Sequence, residues 1–241
     1  MQLIPDKSID MICCDLPYGT TNNFWDIIIP FDKLWPQYER IVKDDAAIVL
    51  FASGIFAAQL VQSNFPLFRY KWIWVKNNAT DFVNAKTRPM RKFEEVLVFS
   101  KRAAVNSSKA KNMKYYPQGL VRINKKFQHG QNTSKSEYVK IKQKSYIQEF
   151  ENYPTDILIF NRVEKERIHP SQKPLKLIEY LIKTYTKEGE VVLDNCMGSG
   201  TTAIACLNVN RQFIGFEMDE TYHKNALKRI EQNVTQLELF E

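Results

Sequence analysis

Hydrophobic and polar positions along the chain switch between two periods. Ile9 to Cys14 is a nearly continuous apolar run and reads as a strand buried on both faces. Asp32 to Lys43 places Leu34, Tyr38, Ile41 and Val42 at helical spacing, with Asp32 as the expected N-cap. Ala46 to Ala52 returns to a buried-strand pattern. Ser53-Gly54 then opens a helix through Ser63, which Asn64-Phe65-Pro66 ends. Phe68 to Val75 alternates and is rich in strand formers, and Glu95 to Phe99 is a further strand. From 101 to 168 the periodicity fades. It resumes at Leu175 to Lys187, where Leu177, Ile178, Leu181, Ile182 and Tyr185 share one helical stripe. Glu190 to Leu193 reads as a strand, Gly200 to Leu207 as a helix and Arg211 to Phe216 as a strand. Asp219 caps a last helix reaching about Val234. Strands alternating with helices predict an α/β fold, a Rossmann-like, mainly parallel sheet with helices on both faces.

Charge changes this picture in one place. The 241 residues carry a net charge of +7, but the segment from Lys101 to Phe150 holds twelve Lys and Arg against two Glu. The rest of the chain is slightly acidic. In that segment the cations are interleaved with Tyr115, Tyr116, Phe127, Tyr138, Tyr146 and Phe150, and with Asn, Gln and Ser. Such a run is often only a solvated face. Placed mid-chain and mixed with aromatic and amide side chains, it suits a polyanion whose phosphates meet Lys and Arg.

Other classes are excluded or disfavoured. No run of eighteen apolar residues occurs, which rules out a helical membrane span. The N-terminus lacks the charged and apolar regions of a signal peptide. Cysteines 13, 14, 196 and 206 form no C-x-x-C pair and read as free thiols of a reducing cytoplasm. His129, His169 and His223 have no companions at metal-ligand spacing, so no zinc site is expected.

Two segments carry chemistry. Asp15-Leu16-Pro17-Tyr18 follows the first strand directly, where Pro17-Tyr18-Gly19 breaks it. A carboxylate, a free backbone carbonyl and an aromatic ring thus meet at a strand's carboxyl end, where ligands sit in open α/β sheets. They suit a flat heterocycle bearing an amino group. Near the other end, Val191 to Thr202 is strand, glycine turn and helix start. Gly198 and Gly200 permit close approach of backbone to a ligand, and the new helix offers unpaired N–H groups. Glu217 follows about twenty residues later, where an acidic side chain grips ribose hydroxyls. This half reads as a site for a nucleoside-bearing cofactor. Gly198-Ser199-Gly200-Thr201-Thr202-Ala203 also fits the G-x-G-x-x-A dinucleotide fingerprint, so an NAD-dependent oxidoreductase is a rival. NAD chemistry accounts for neither the basic segment nor the first tetrad.

Together the motifs resemble those of the S-adenosylmethionine-dependent DNA amino-methyltransferases, which modify adenine N6 or cytosine N4. Asp15-Leu16-Pro17-Tyr18 is similar to their [DNS]-P-P-[YFW] catalytic motif. His169-Pro170-Ser171-Gln172-Lys173-Pro174 is similar to H-P-T-Q-K-P, and Asp194 through Thr202 to D-P-F-x-G-S-G-T-T. Their order is that of the β subgroup. The resemblance implies a catalytic domain of 1–100 and 169–241 interrupted by a target-recognition insert, 101–168. It implies that Asp15 and the Leu16 carbonyl accept the amino N–H groups of a flipped-out base, and that Tyr18, with Pro17 shaping the turn, stacks on it. Asp194, Asn195, Cys196, Met197, Gly198, Gly200, Thr201, Thr202 and Glu217 would hold S-adenosylmethionine, while His169, Ser171 and Lys173 would close over its methionine part. DNA is the implied partner, with a homodimer and a cognate restriction endonuclease as candidates. Aspartate at the first motif position favours adenine N6, with cytosine N4 as the alternative. Two departures stand out. Leu16 replaces the family's proline, and a strand ending in Gly-Asp that usually precedes the equivalent of Leu3-Ile4-Pro5-Asp6 is expected to be missing, with one wall of the adenine pocket.

Overall fold

The six residues of β1, Ile9–Cys14, are buried along their whole length. The computed structural model describes residues 1–21, 23, 25–107, 109–127, 146–161 and 172–238. In chain order β1 is followed by α1 (Phe31–Ile41), β2 (Val42–Ala52), α2 (Ile55–Ser63), β3 (Phe68–Thr80) and β4 (Arg91–Phe99). Next come β5 (Val121–Phe127), β6 (Tyr146–Glu151), β7 (Ile157–Ile159), α3 (Leu175–Tyr185), β8 (Val191–Asp194), α4 (Thr201–Asn208), β9 (Gln212–Gly215) and α5 (Glu220–Glu238). Two units result, Met1–Tyr116 with Asp156–Glu241, and Pro117–Thr155.

In the first unit seven strands form one sheet in the order β7-β3-β4-β2-β1-β8-β9. β1 lies parallel to β2 and β8, β8 to β9, and β3 to β7, while β4 runs antiparallel to both β2 and β3. Cys14 pairs with Leu50, Ile12 with Leu193 and Asp194 with Gly215. The carboxyl ends of β1, β2, β8 and β9 therefore emerge along one edge, and this register brings the two sequence motifs together.

Side chains alternate across the sheet as the strand period requires. Ile12 and Cys14 pack with Leu34, Tyr38, Phe56 and Leu60 of α1 and α2, whereas Met11 and Cys13 pack with Leu177, Leu181, Tyr185 and Cys206 of α3 and α4. Both faces are covered, which is why β1 shows no polar alternation. Asp10 is the exception within the run. Its carboxylate accepts hydrogen bonds from Lys43 (2.7 Å), Lys114 (2.8 Å) and the Val191 N–H (3.1 Å), and these donors outweigh burial and lower its pKa.

The elements differ from the sequence pattern at particular points. α1 begins at Phe31 with Pro30 at the N-cap, so Asp32 is an exposed residue of the first turn rather than the cap. Pro30 already holds φ near −55°, which starts the helix without a capping side chain. β3 and β4 run on to Thr80 and from Arg91, past the apolar stretch that announced them. Among the described residues of 101–168 there are also three strands. β5 and β6 pair antiparallel in the second unit, with Val121 opposite Glu151 and Phe127 opposite Tyr146. β7 is three residues long, too short to show a period. Residues 101–116 belong to the first unit, where Met113 is buried and Lys114 bridges Asp10 and Glu190. Among the described residues no helix is long and apolar enough to cross a membrane.

Candidate active site

The loop after β1 is shaped by Asp26. Its carboxylate accepts the backbone N–H groups of Tyr18 (2.8 Å), Gly19 (2.9 Å), Thr20 (2.9 Å) and Thr21 (2.7 Å), and the Thr21 hydroxyl (2.8 Å). Burial alone would raise this carboxyl, but the five donors hold it below its ordinary value. The turn fixes Tyr18. Its ring stacks on Phe56 with centroids 4.8 Å apart, and its hydroxyl donates to Asp15 Oδ1 at 2.9 Å. Leu16 sends its side chain into the core beside α1 and α2, so an apolar residue fits where the related motif has proline.

Asp15 is the end of a chain of four charges. Its Oδ2 lies 2.8 Å from Lys173 Nζ, which lies 2.9 Å from Glu94 Oε2, and Glu94 Oε1 accepts from Lys76 Nζ at 2.8 Å. The lysines also sit against aromatic faces, Lys173 4.9 Å from the Phe51 ring centre and Lys76 5.7 Å from that of Trp74. Burial raises the Asp15 carboxyl, against the pull of Lys173. Glu94 goes the other way: burial would raise it, yet Lys173 and Lys76 hold it at about 2. Lys173 is held charged by Asp15 and Glu94 despite its burial.

At the end of β8, Asp194 accepts the Thr202 hydroxyl (2.6 Å) and the Cys196 N–H (3.1 Å). Burial raises its pKa to about 6, and the charge of Asp15 adds to the rise. Gly198 and Gly200 both have positive φ, +47° and +70°. A Cβ on Gly200 would lie 3.2 Å from the Ala226 Cβ of α5, so that glycine serves a tight packing contact as well as the turn. Glu217 follows β9 and accepts the Gly198 N–H (2.9 Å) and the Asp219 N–H (3.0 Å). Asn195 accepts the Tyr38 hydroxyl at 2.5 Å, a link to α1.

These two loops line one cavity of about 770 Å³, within the range of ligand pockets. Asp15, Leu16, Pro17 and Tyr18 contribute from one side and Asp194 to Gly198, Thr201, Thr202 and Glu217 from the other. A family model described as DNA methylase, of the N6/N4 methyltransferases, matches residues 9–228. The chain belongs to that family. This DNA methylase is 26% identical to the type II methyltransferase M.HindIII of Haemophilus influenzae, over 94% of its own length and 90% of the relative's. It is 25% identical to the DNA adenine methyltransferase YhdJ of Escherichia coli K12, over 96% and 79% of the two chains. Among solved structures, the M1.HpyAVI–SAM complex matches with a TM-score of 0.58 and 26% identity, over 92% of this chain and 89% of that one.

Membership makes the protein an S-adenosylmethionine-dependent DNA amino-methyltransferase and removes the NAD-dependent oxidoreductase reading. The methylase's cavity takes in all four residues of the first tetrad, together with Lys173 and the Asp194 turn. Gly200 does not line it and packs on α5 instead. His169 and Ser171 lie outside the described residues. Asp26, Glu94 and Lys76 are among the polar residues of the site that the sequence motifs did not mark. Gly215 does not line the cavity but backs its wall: a Cβ there would come within 2.5 Å of Met197 Sδ. The signal for Lys76 and Glu94 was a charge interrupting an apolar strand pattern, Trp72 to Lys76 and Glu94 to Phe99.

Proposed function

We propose that this methylase transfers a methyl group to adenine N6 of a base flipped out of DNA, and that its motif order places it in the β subgroup. One observation carries the reading: Asp15 and the Asp194–Gly198 turn face the same cavity. The donor set fits S-adenosylmethionine. The Asp194–Gly198 turn lines the cavity at the end of β8, and Glu217, half-buried with two fixed acceptor contacts, keeps lone pairs for ribose hydroxyls. The bound cofactor supplies an electrophilic sulfonium methyl.

The protein's own part is to expose and orient the nucleophile. An exocyclic amino group in duplex DNA is stacked and paired, so the base has to leave the stack, at a cost of a few kcal/mol. Tyr18, backed by Phe56, offers a ring on which the extruded base stacks, an offset of about 1–3 kcal/mol by comparison with single-strand binders. Asp15 and the Leu16 carbonyl accept the two N–H bonds of the amino group. That favours a pyramidal nitrogen and stabilises the positive charge that develops as it attacks, a contribution of the preorganised kind. Each Asp15 oxygen already takes one donor, Tyr18 or Lys173, and retains a further lone pair for the substrate. Lys173 therefore acts as a positioning residue for Asp15, and Glu94 with Lys76 positions Lys173.

The adenine assignment is supported by aspartate at the first motif position and by the adenine-specific name of the YhdJ relative. Exposed Arg122 and Lys126 on β5 suit phosphate contacts, in keeping with a recognition role for the second unit; Tyr138 of that segment lies outside the described residues. Incubation with labelled S-adenosylmethionine and unmethylated DNA, followed by separation of nucleosides, tests the assignment. Label in N6-methyladenine is expected. Label in N4-methylcytosine would transfer the reading to cytosine, and no label would end it.

A further inference from the structure

β3 and β4 pair beyond the point where β2 ends. Ala52, the last residue of β2, lies opposite Glu95, while the β3–β4 ladder continues through Val75 and Phe93 to Thr80 and Arg91. The connecting loop, residues 81–90, thus stands past the same sheet edge from which Asp15 emerges. Thr80 and Arg91, at its base, line the cavity wall.

This loop is built, not slack. Asp81 adopts a left-handed φ of +73° and staples the turn, accepting from Asn84 Nδ2 at 2.6 Å and meeting Arg88 at 2.9 Å and Arg91 at 3.5 Å. One helical turn follows, with Asn84 N–H to the Asp81 carbonyl, Ala85 N–H to that of Phe82, and both Thr87 and Arg88 N–H to that of Asn84. The effect of this scaffolding is to hold two large apolar side chains in solvent. Phe82 is 78% exposed and Val83 95%. The same segment carries Lys86, Arg88, Arg91 and Lys92, all exposed, against the single acid Asp81, which Arg88 and Arg91 meet.

An exposed apolar tip on a segment rich in exposed cations fits a polyanion with an apolar interior, which is duplex DNA. Extruding a base leaves a gap in the stack, and proteins that open DNA fill such gaps with Phe, Leu, Ile, Met or Pro wedges. We propose that residues 81–92 form the wedge of this enzyme: Phe82 and Val83 enter the opened stack while Lys86 and Lys92 hold the flanking phosphates. The proposal rests on the base-flipping reading given above.

The test uses the full chain with S-adenosylhomocysteine and a duplex carrying 2-aminopurine at the target base, in the sequence that methylation mapping identifies. 2-Aminopurine brightens when it leaves the stack. Phe82→Ser with Val83→Ser is expected to lower the extrusion equilibrium roughly tenfold, about 1.4 kcal/mol, since the gap left in the stack loses its apolar filling. Removing the partner base opposite the target should restore extrusion. Both substituted side chains are exposed, and an unchanged thermal melt would confirm that the fold is intact. Brightening equal to that of the parent protein would overturn the wedge, as would a loss that the abasic partner does not rescue. A parent protein that gives no brightening at all would overturn the base-flipping reading itself.

Discussion

Glu94→Gln gives the sharpest view of how the Asp15 carboxylate is held. Glu94 is 16% exposed and sits between Lys76, 6% exposed, and Lys173, 10% exposed. A carboxyl held at about 2 instead of its ordinary 4.5 contributes about 3 kcal/mol to stability at neutral pH. The folded value is the lower one, so this contribution is complete above 4.5 and is lost as pH falls toward 2. Glutamine keeps the shape and removes the charge. Part of the loss is offset because Asp15, which the Glu94 charge raises, is relieved. Urea unfolding of the variant and the parent across pH 3 to 7 measures the difference. It should be about 2–3 kcal/mol at pH 7 and close to half that at pH 3. Turnover should fall while cofactor affinity stays, since Lys173 loses its second anchor and Asp15 its fixed geometry. A stability gap that does not change with pH, or an absent one, would refute the claim that Glu94 is an ionised partner of both lysines.

Asp15→Asn keeps the size of the side chain but loses its charge and should lower kcat by about 10²–10³-fold, the scale of removing a preorganised electrostatic group. Calorimetric binding of S-adenosylhomocysteine should be unaffected, and a parallel loss of binding would place Asp15 in the cofactor site instead. Asp26→Ala strips five donors of one acceptor and should destabilise by about 3 kcal/mol, with proteolysis appearing within residues 18–26. The Asp26 contribution exists above the ordinary carboxyl range and vanishes as pH falls, so the variant and the parent should converge in acid. Arg122→Glu and Lys126→Glu on β5 should each weaken DNA binding and reduce the slope of log affinity against log salt by about one; an unchanged slope would make these cations mere surface.

Much of the fold was legible because β1, β8 and the Ala46–Ala52 part of β2 are buried on both faces and so write nearly continuous apolar runs, and because α1 and α3 write one stripe each. The sheet's two antiparallel pairings were not, since a strand pattern records which faces are buried and not the direction of its neighbour. β7, with three residues, is below any period. At the site, both motifs were readable as strand ends followed by glycine or proline turns. Asp26 was not readable, because its partners are backbone N–H groups of an irregular loop whose path no side-chain pattern encodes. Lys76 and Glu94 left a trace as charges in apolar strands, but only the β3–β4 register reveals that they meet. Lys114 shows the opposite error: counted among the basic insert, it is a structural cation tied to Asp10 and Glu190.

A complex of the enzyme with S-adenosylhomocysteine and its target duplex would measure the decisive geometry. The account predicts the target amino nitrogen within about 3 Å of both an Asp15 oxygen and the Leu16 carbonyl, with the cofactor's sulfur facing its other side. A target base still stacked in the duplex, or an amino nitrogen remote from Asp15, would contradict it.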